Sequence, residues 1–358
     1  MNDQLLNKLG SGSRVRVSGV SPQAAAFVVA GLFGHQAGDP DAPLYVLVVP
    51  DNEAMDRLAS DLRFFLGLKA DPPDVHTYPA DEVNPFSGVS PDRADVASRL
   101  GVLHRLMRGE PVRVLVVSAP ALLKKVMPRE LLASAGDYVI PGVEVDRERL
   151  VQNLLKGGYL RAPVVDGPGQ FAARGGIVDI FSPLHDHPVR LEFLGDLVDR
   201  MRFFEPESQR TFRDAPEIYA PPVSELVLQE GSRELAASEL QAEGERLCTP
   251  SRRLSEAVEE VLSAESWSYP AAMLPAFYRK MSTISDYLKE SGRTVRLLAF
   301  EPERALEEMK GFLDQARADL LAARQQRTPV ADSDRHYADI DAAAALFGGA
   351  AAFSLIPS

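Results

Sequence analysis

Cysteine is almost missing from this chain: one residue, Cys248, in 358. A single thiol makes no intramolecular disulfide and anchors no zinc cluster. Its expected place is a small buried filler. Histidine is scarce too, with six residues. His185-Asp186-His187 invites a metal, but no third His or Cys lies nearby, so a solvated loop is the better reading. Long apolar runs are absent. The longest uncharged, largely apolar stretch, Ala342 to Phe353, falls far short of the roughly 20 residues a membrane-spanning helix needs. The first residues, MNDQLLNKLGSGSRVRV, lack a basic segment followed by an apolar core, so no signal peptide is read there. A cytoplasmic protein is expected. Positive charge is in deficit: 39 Lys and Arg against 51 Asp and Glu give a net charge of −12. That excludes a chain coated in basic surface for non-specific DNA binding, though not a local basic patch. Lysine is the rarer cation, 8 residues against 31 arginines, and arginine suits bidentate contacts to carboxylate or phosphate.

What remains is an ordinary globular composition, 45% apolar and 25% charged, long enough for two or three domains. The first part alternates strand-like runs with helices. Val15 to Val20, Leu44 to Val49, the end of a short strand at His76 to Tyr78, and Val112 to Ser118 read as strands. Gln23 to Phe33, Asp51 to Leu66 and Asp92 to Arg108 read as helices, the last with Val96, Leu100, Leu103 and Leu106 on one face. Continuous β-branched runs between helices indicate an α/β fold with a parallel sheet covered on both sides. The Pro-, Asp- and Gly-rich loop from Tyr78 to Pro91 is of a length that is often functional.

After Pro128 the pattern changes. A short helix, Asp146 to Lys156, is followed mainly by strands. Val189 to Phe204 alternates apolar and polar residues around Gly195-Asp196, which suits a hairpin with a type II′ turn. The stretch from 131 to 222 reads as a small mixed α+β domain ending at Pro221-Pro222. From 223 onward the chain is mostly helical, at Arg233 to Arg246, Ser251 to Glu265 and Glu301 to Arg324. Thr294 to Phe300 reads as a strand, and Ala351 to Pro357 is a candidate for one more. A strand, helix and strand at this end could rejoin the first sheet. The middle domain would then be an insertion.

The first strand–helix junction is where a nucleotide phosphate loop would stand. That loop needs Gly, four residues, then Gly-Lys-Ser/Thr. Counting from Gly19, the three essential positions hold Ala24, Ala25 and Ala26. They offer no glycine for the cradle, no lysine for the phosphates and no hydroxyl for magnesium. No strand ends in an Asp-Glu pair, and no G-x-S-x-G occurs. Trp267, Tyr269, Phe277, Tyr278 and Tyr287 cluster around Lys280. Stacking on bases is imaginable for them, but core packing is the commoner use. In the middle domain, side-chain alternation places Arg190, Glu192 and Leu194 on one face of a strand, near Arg174 and Gly175-Gly176. This is either a polar face with ordinary surface arginines or a protein-binding patch of two rigidly mounted guanidinium groups beside an exposed leucine.

Three segments carry a resemblance: Val114 to Leu123, Ser90 to Leu106, and above all Gln170 to Phe212. The last holds the pattern F-x-x-R-G-x-h-h-D-h-F, an R-L-E-F hairpin and F-E-x-x-S-Q-R-T. The chain resembles the N-terminal region of bacterial transcription-repair coupling factors, itself similar to the first part of the excision-repair protein UvrB. The resemblance implies a degenerate RecA/helicase-like parallel-sheet domain (1A, residues 1–130, with 1B, residues 223–358, folding back on it) and an inserted domain 2, residues 131–222. It implies a phosphate loop that has lost its chemistry, no cofactor, no metal and no catalytic residue. It implies that domain 2 recruits UvrA, with Arg174, Arg190 and Leu194 at the matching positions. Leu194 departs from the aromatic residue usual there, and Ser182-Pro183 departs from a Pro directly after the Phe. The segment from Tyr78 to Asp92 is too short for the hairpin with which UvrB clamps DNA. The family's RNA-polymerase-binding domain, its motor on double-stranded DNA and the C-terminal domain that masks domain 2 have no counterpart in 1–358. The expectation is a monomeric recruitment arm that is not itself an enzyme. The rival readings are an ATPase fragment and a UvrB-like damaged-DNA-binding module.

Overall fold

The structure is a computed structural model, and it describes residues 8, 15–34, 42–67, 75–110, 112–263, 271–347 and 350–355. The first half builds β1 (Arg16–Val20), α1 (Pro22–Gly34), β2 (Leu44–Val49), α2 (Asn52–Leu66), β3 (Val75–Tyr78), α3 (Arg93–Arg108) and β4 (Val114–Ser118). Asp51 and Asp92 are the N-caps of α2 and α3, each accepting from backbone N–H groups of the first turn. Gly67 and Gly109 close both helices in the left-handed conformation, the usual helix stop.

Next come β5 (Lys125–Val126), α4 (Arg129–Ser134), β6 (Asp137–Val139), α5 (Arg147–Lys156), β7 (Leu160–Arg161), β8 (Gln170–Arg174), β9 (Ile177–Ile180), β10 (Val189–Leu194), β11 (Leu197–Phe204), β12 (Thr211–Asp214) and β13 (Ile218–Ala220). The last part holds α6 (Ser232–Arg246), α7 (Ser251–Ser263), β14 (Ser282–Thr283), α8 (Ile284–Glu290), β15 (Val295–Phe300), α9 (Pro302–Gln325) and β16 (Ala351–Leu355), with short helical turns around them.

The main sheet has the order β1-β16-β15-β2-β4-β3, and every pairing in it is parallel. The two strands from the end of the chain lie between β1 and β2. The last part therefore does rejoin the first sheet, and everything between β4 and β15 is inserted into one α/β domain. Both faces are covered. Tyr45, Leu47 and Val49 of β2 pack with α1 and α2 on one side, while Leu44, Val46 and Val48 face the core shared by α3, α6, α8 and α9 on the other. This two-sided burial is why β2 reads as an unbroken apolar run.

The inserted sheet has the order β12-β11-β10-β9-β8-β7, antiparallel except for the β7–β8 pair. Its inner face (Phe171, Val178, Ile180, Val189, Leu191, Phe193) packs on Leu150 and Leu154 of α5. β6 and β13 pair antiparallel where the chain enters and leaves the insertion. Gly195 takes φ +64°, the sign required at the first turn position of a type II′ hairpin.

Helix α3 is buried more widely than its single apolar stripe predicts, because the insertion packs on its other side. A Cβ on Gly101 would stand 3.1 Å from the Pro183 carbonyl oxygen. The His104 ring stacks on Tyr219 at 4.3 Å, and Arg105 donates to the Leu184 carbonyl. Further along, Arg99 is almost fully buried and pairs with Asp81 at 2.5 Å and Glu225 at 3.4 Å, while Lys124 bonds the same two carboxylates. The loop after Tyr78 is not loose. It makes a turn at Pro85–Ser87 with Phe86 buried, and Asn84 donates to Asp319 of α9 at 2.6 Å.

The expected burial of Cys248 is corrected. Cys248 is exposed and takes φ +53° just past the end of α6, a conformation that turns the chain out of the helix. Phe277, Tyr278 and Tyr287 are core residues, whereas Trp267 and Tyr269 lie outside the described residues.

Candidate protein-binding face

At the first strand–helix junction β1 bulges between Ser18 and Val20, with Gly19 at φ +75°. The Ser21 hydroxyl accepts from the Ala24 N–H at 3.2 Å. Ala25 and Ala26 are fully buried against the sheet, and Ala24 faces out. The three methyl groups supply no donor to a phosphate. His185 and His187 pack edge-on against Phe203 and Phe212 at 5.5 and 5.0 Å. Among the described residues no three His, Cys, Asp or Glu side chains group as metal ligands.

The inserted sheet carries the candidate site. Strand alternation sends Ala172 and Arg174 of β8, Ile177 and Asp179 of β9, and Arg190, Glu192 and Leu194 of β10 to its outer face. Cross-strand register sets Arg190 opposite Asp179, Glu192 opposite Ile177, and Arg174 opposite Ile177. The Gly175-Gly176 turn brings β8 back as β9, with Gly175 at φ +55°. Gly176 is packed so closely that a Cβ would meet the Phe193 carbonyl oxygen at 3.0 Å. The three residues marked in the sequence, Arg174, Arg190 and Leu194, thus share one face.

They are not equivalent. Leu194 is 67% exposed. The Arg174 side chain is 57% exposed and reaches Asp179 only at 3.7 Å. The Arg190 side chain is 19% exposed. It makes a two-pronged pair with Asp179, Nε to Oδ1 at 2.7 Å and Nη2 to Oδ2 at 2.9 Å. Its guanidinium lies 4.7 Å over the Phe204 ring, and Nη1 donates to the Gln209 carbonyl at 3.4 Å. Hydrogen bonding to Asp179 raises its proton affinity above the ordinary arginine value, against the opposing effect of burial. Of the two guanidinium groups that the sequence reading took as rigidly mounted, Arg190 is held by Asp179 and Arg174 is largely exposed.

Two apolar side chains that the sequence did not mark complete the face. Leu197 stands opposite Leu194 across the hairpin, and Ile177 lies beside Glu192. Both are exposed. Their signal was the same alternation that exposed Leu194. Arg202 pairs with Glu192 on the same side. The result is a compact apolar patch at the turn end of the sheet, flanked by one exposed cation and one clamped cation.

Residues 139–226 match the UvrB interaction domain, the segment that contains the whole face. The chain is 38% identical over 290 residues to the transcription-repair-coupling factor of Myxococcus xanthus, covering 80% of this chain and 24% of that protein. It is 33% identical over 242 residues to that of Mycobacterium bovis, 65% of this chain and 19% of the relative. To that of Bacillus subtilis it is 24% identical over 330 residues, 88% and 27%. The chain spans between about a fifth and about a quarter of the length of these relatives. By sequence, then, the chain is a relative of the transcription-repair-coupling factors, matching their N-terminal, UvrB-like region, with a UvrB interaction domain at residues 139–226.

Proposed function

We propose that this chain recruits the damage-recognition ATPase UvrA through the outer face of the inserted sheet, and so links stalled transcription to nucleotide excision repair. The observation that carries the reading is the meeting of Arg174, Arg190 and Leu194 on one accessible face inside the segment that matches the UvrB interaction domain. Arg174 offers nearly all its N–H donors to a partner carboxylate or carbonyl, bonds that are charge-assisted and stronger than neutral ones. Leu194, with Ile177 and Leu197, supplies apolar contact at the centre. An arginine next to a desolvated apolar anchor is a common composition for an interface hot spot.

Contacts to RNA polymerase and double-stranded DNA, in this reading, belong to other parts of the longer relatives. Nucleotide hydrolysis is not part of the reading for this chain, because Ala24, Ala25 and Ala26 stand where the phosphate-binding groups would be. Calorimetric titration of UvrA into the chain tests the proposal. The wild type should bind, and Arg174→Ala and Leu194→Glu should each weaken binding by about tenfold or more, roughly 1.4 kcal/mol. Both side chains are exposed, so thermal unfolding should stay within about 0.5 kcal/mol of wild type. Equal binding by all three proteins would refute the placement of the interface.

A further inference from the structure

The outer face holds one group that neither the alternation nor the apolar patch explains. Asp179 is 1% exposed, yet it sits on the solvent-side face of β9. Arginine side chains face it there. Oδ1 accepts from Arg190 Nε at 2.7 Å, and Oδ2 accepts from Arg190 Nη2 at 2.9 Å. The same Oδ2 lies 3.7 Å from Arg174 Nη2. One carboxylate therefore faces two guanidinium groups from the strands on either side of it, Arg190 on β10 and Arg174 on β8.

We infer that Asp179 is the positioning residue of the docking face: its carboxylate holds Arg190 over Phe204 and draws Arg174 alongside, presenting two guanidinium groups as one unit. The inference rests on the recruitment reading above. Arg190 and Arg174 flank β9 from its two neighbouring strands, and the Asp179 carboxylate lies between them as the anion they share. Asp179 supplies it from beneath, leaving the outward N–H groups for the partner. A planar guanidinium held by a two-pronged pair loses less freedom on binding than a free side chain does. Arg190 thus contributes through its fixed position, and Arg174 through reach.

Titration with UvrA of four proteins tests this: wild type, Asp179→Asn, Arg174→Ala and the double variant, each checked for folding by circular dichroism. Asn keeps the size of the side chain and removes the charge. Asp179→Asn should weaken binding about tenfold. In the Arg174→Ala background the same change should weaken it less than about threefold, because half of its effect passes through Arg174. A purely structural role would give the same factor in both backgrounds, and that result, or wild-type affinity for Asp179→Asn, overturns the inference. A second measurement needs neither partner nor variant. In the wild-type NMR spectrum the Arg190 Nε–H should exchange with solvent at least tenfold more slowly than that of Arg174. If the wild type fails to bind UvrA, the recruitment reading falls while this comparison still judges Asp179. Equal exchange rates for the two arginines would overturn its positioning role.

Discussion

Asp81→Asn should be among the most damaging small substitutions in this chain. Asp81, Arg99, Lys124 and Glu225 form a buried square of two cations and two anions, with zero net charge. It joins the loop after β3, helix α3, the segment before β5 and the strap that leaves the inserted domain. Burial pushes the Asp81 carboxyl up, but the Lys124 ammonium and the Arg99 guanidinium outweigh it and hold the group below the usual carboxylate range. At an effective dielectric of about 20, each ion contact near 3 Å is worth roughly 5 kcal/mol before desolvation is subtracted. Breaking a buried ionic group by removing one partner costs about 3–5 kcal/mol, because an uncompensated charge stays behind. Asp81→Asn leaves two cations facing Glu225 alone, and this range is the expected loss. Urea unfolding followed by far-UV circular dichroism measures it. The decisive comparison adds Lys124→Gln. Charge balance predicts that the double variant is more stable than Asp81→Asn alone, since Arg99 and Glu225 remain as a matched pair. A double variant that loses the full sum of the two single losses would refute the charge-balance argument.

Acid should weaken the fold well above the range where carboxylates protonate. Burial first, and nearby cations second, hold His76 and His104 down to about 3, and burial holds His336 down to about 4. The unfolded chain binds these protons near pH 6.5 and the folded chain does not, so stability falls as the pH drops below 6.5. At pH 5 the loss approaches about 2 kcal/mol per histidine. Thermal unfolding at pH 7 and pH 5 checks the sign, and His104→Phe, which keeps the ring on Tyr219, should remove one proton from the slope. An unchanged slope in that variant would contradict the assignment. Native Cys248 should react with one equivalent of a thiol reagent without denaturant, at a rate close to that of the unfolded chain, since it is exposed. Strong protection would show that it is covered.

The secondary structure and the insertion were legible because they depend on local pattern. The runs at Leu44–Val49 and Val114–Ser118 are apolar on both faces, which marks a covered parallel sheet. The alternation through Val189–Leu194 placed Arg190, Glu192 and Leu194 on one face, as observed. The ionic square was not legible. Its members stand at positions 81, 99, 124 and 225, and no periodicity joins residues so far apart. Nothing in the local pattern around Asp81 sets it apart from other loop acids. The clamping of Arg190 was hidden for a related reason: alternation says which way a side chain points, not whether a neighbouring strand places a carboxylate under it. Cys248 was misplaced because residue type predicts average burial, while a left-handed turn at a helix end decided this case.

The most direct test of the docking face is hydrogen exchange on the chain with and without UvrA, resolved along the sequence. The account predicts slowed exchange around Arg174–Ile177 and Leu194–Leu197, the turn ends that carry the arginine and the apolar patch. Helices α1 and α2 should exchange as they do in the free chain. Protection at α1 and α2 with none at the inserted sheet would contradict the account and move the interface to the first domain.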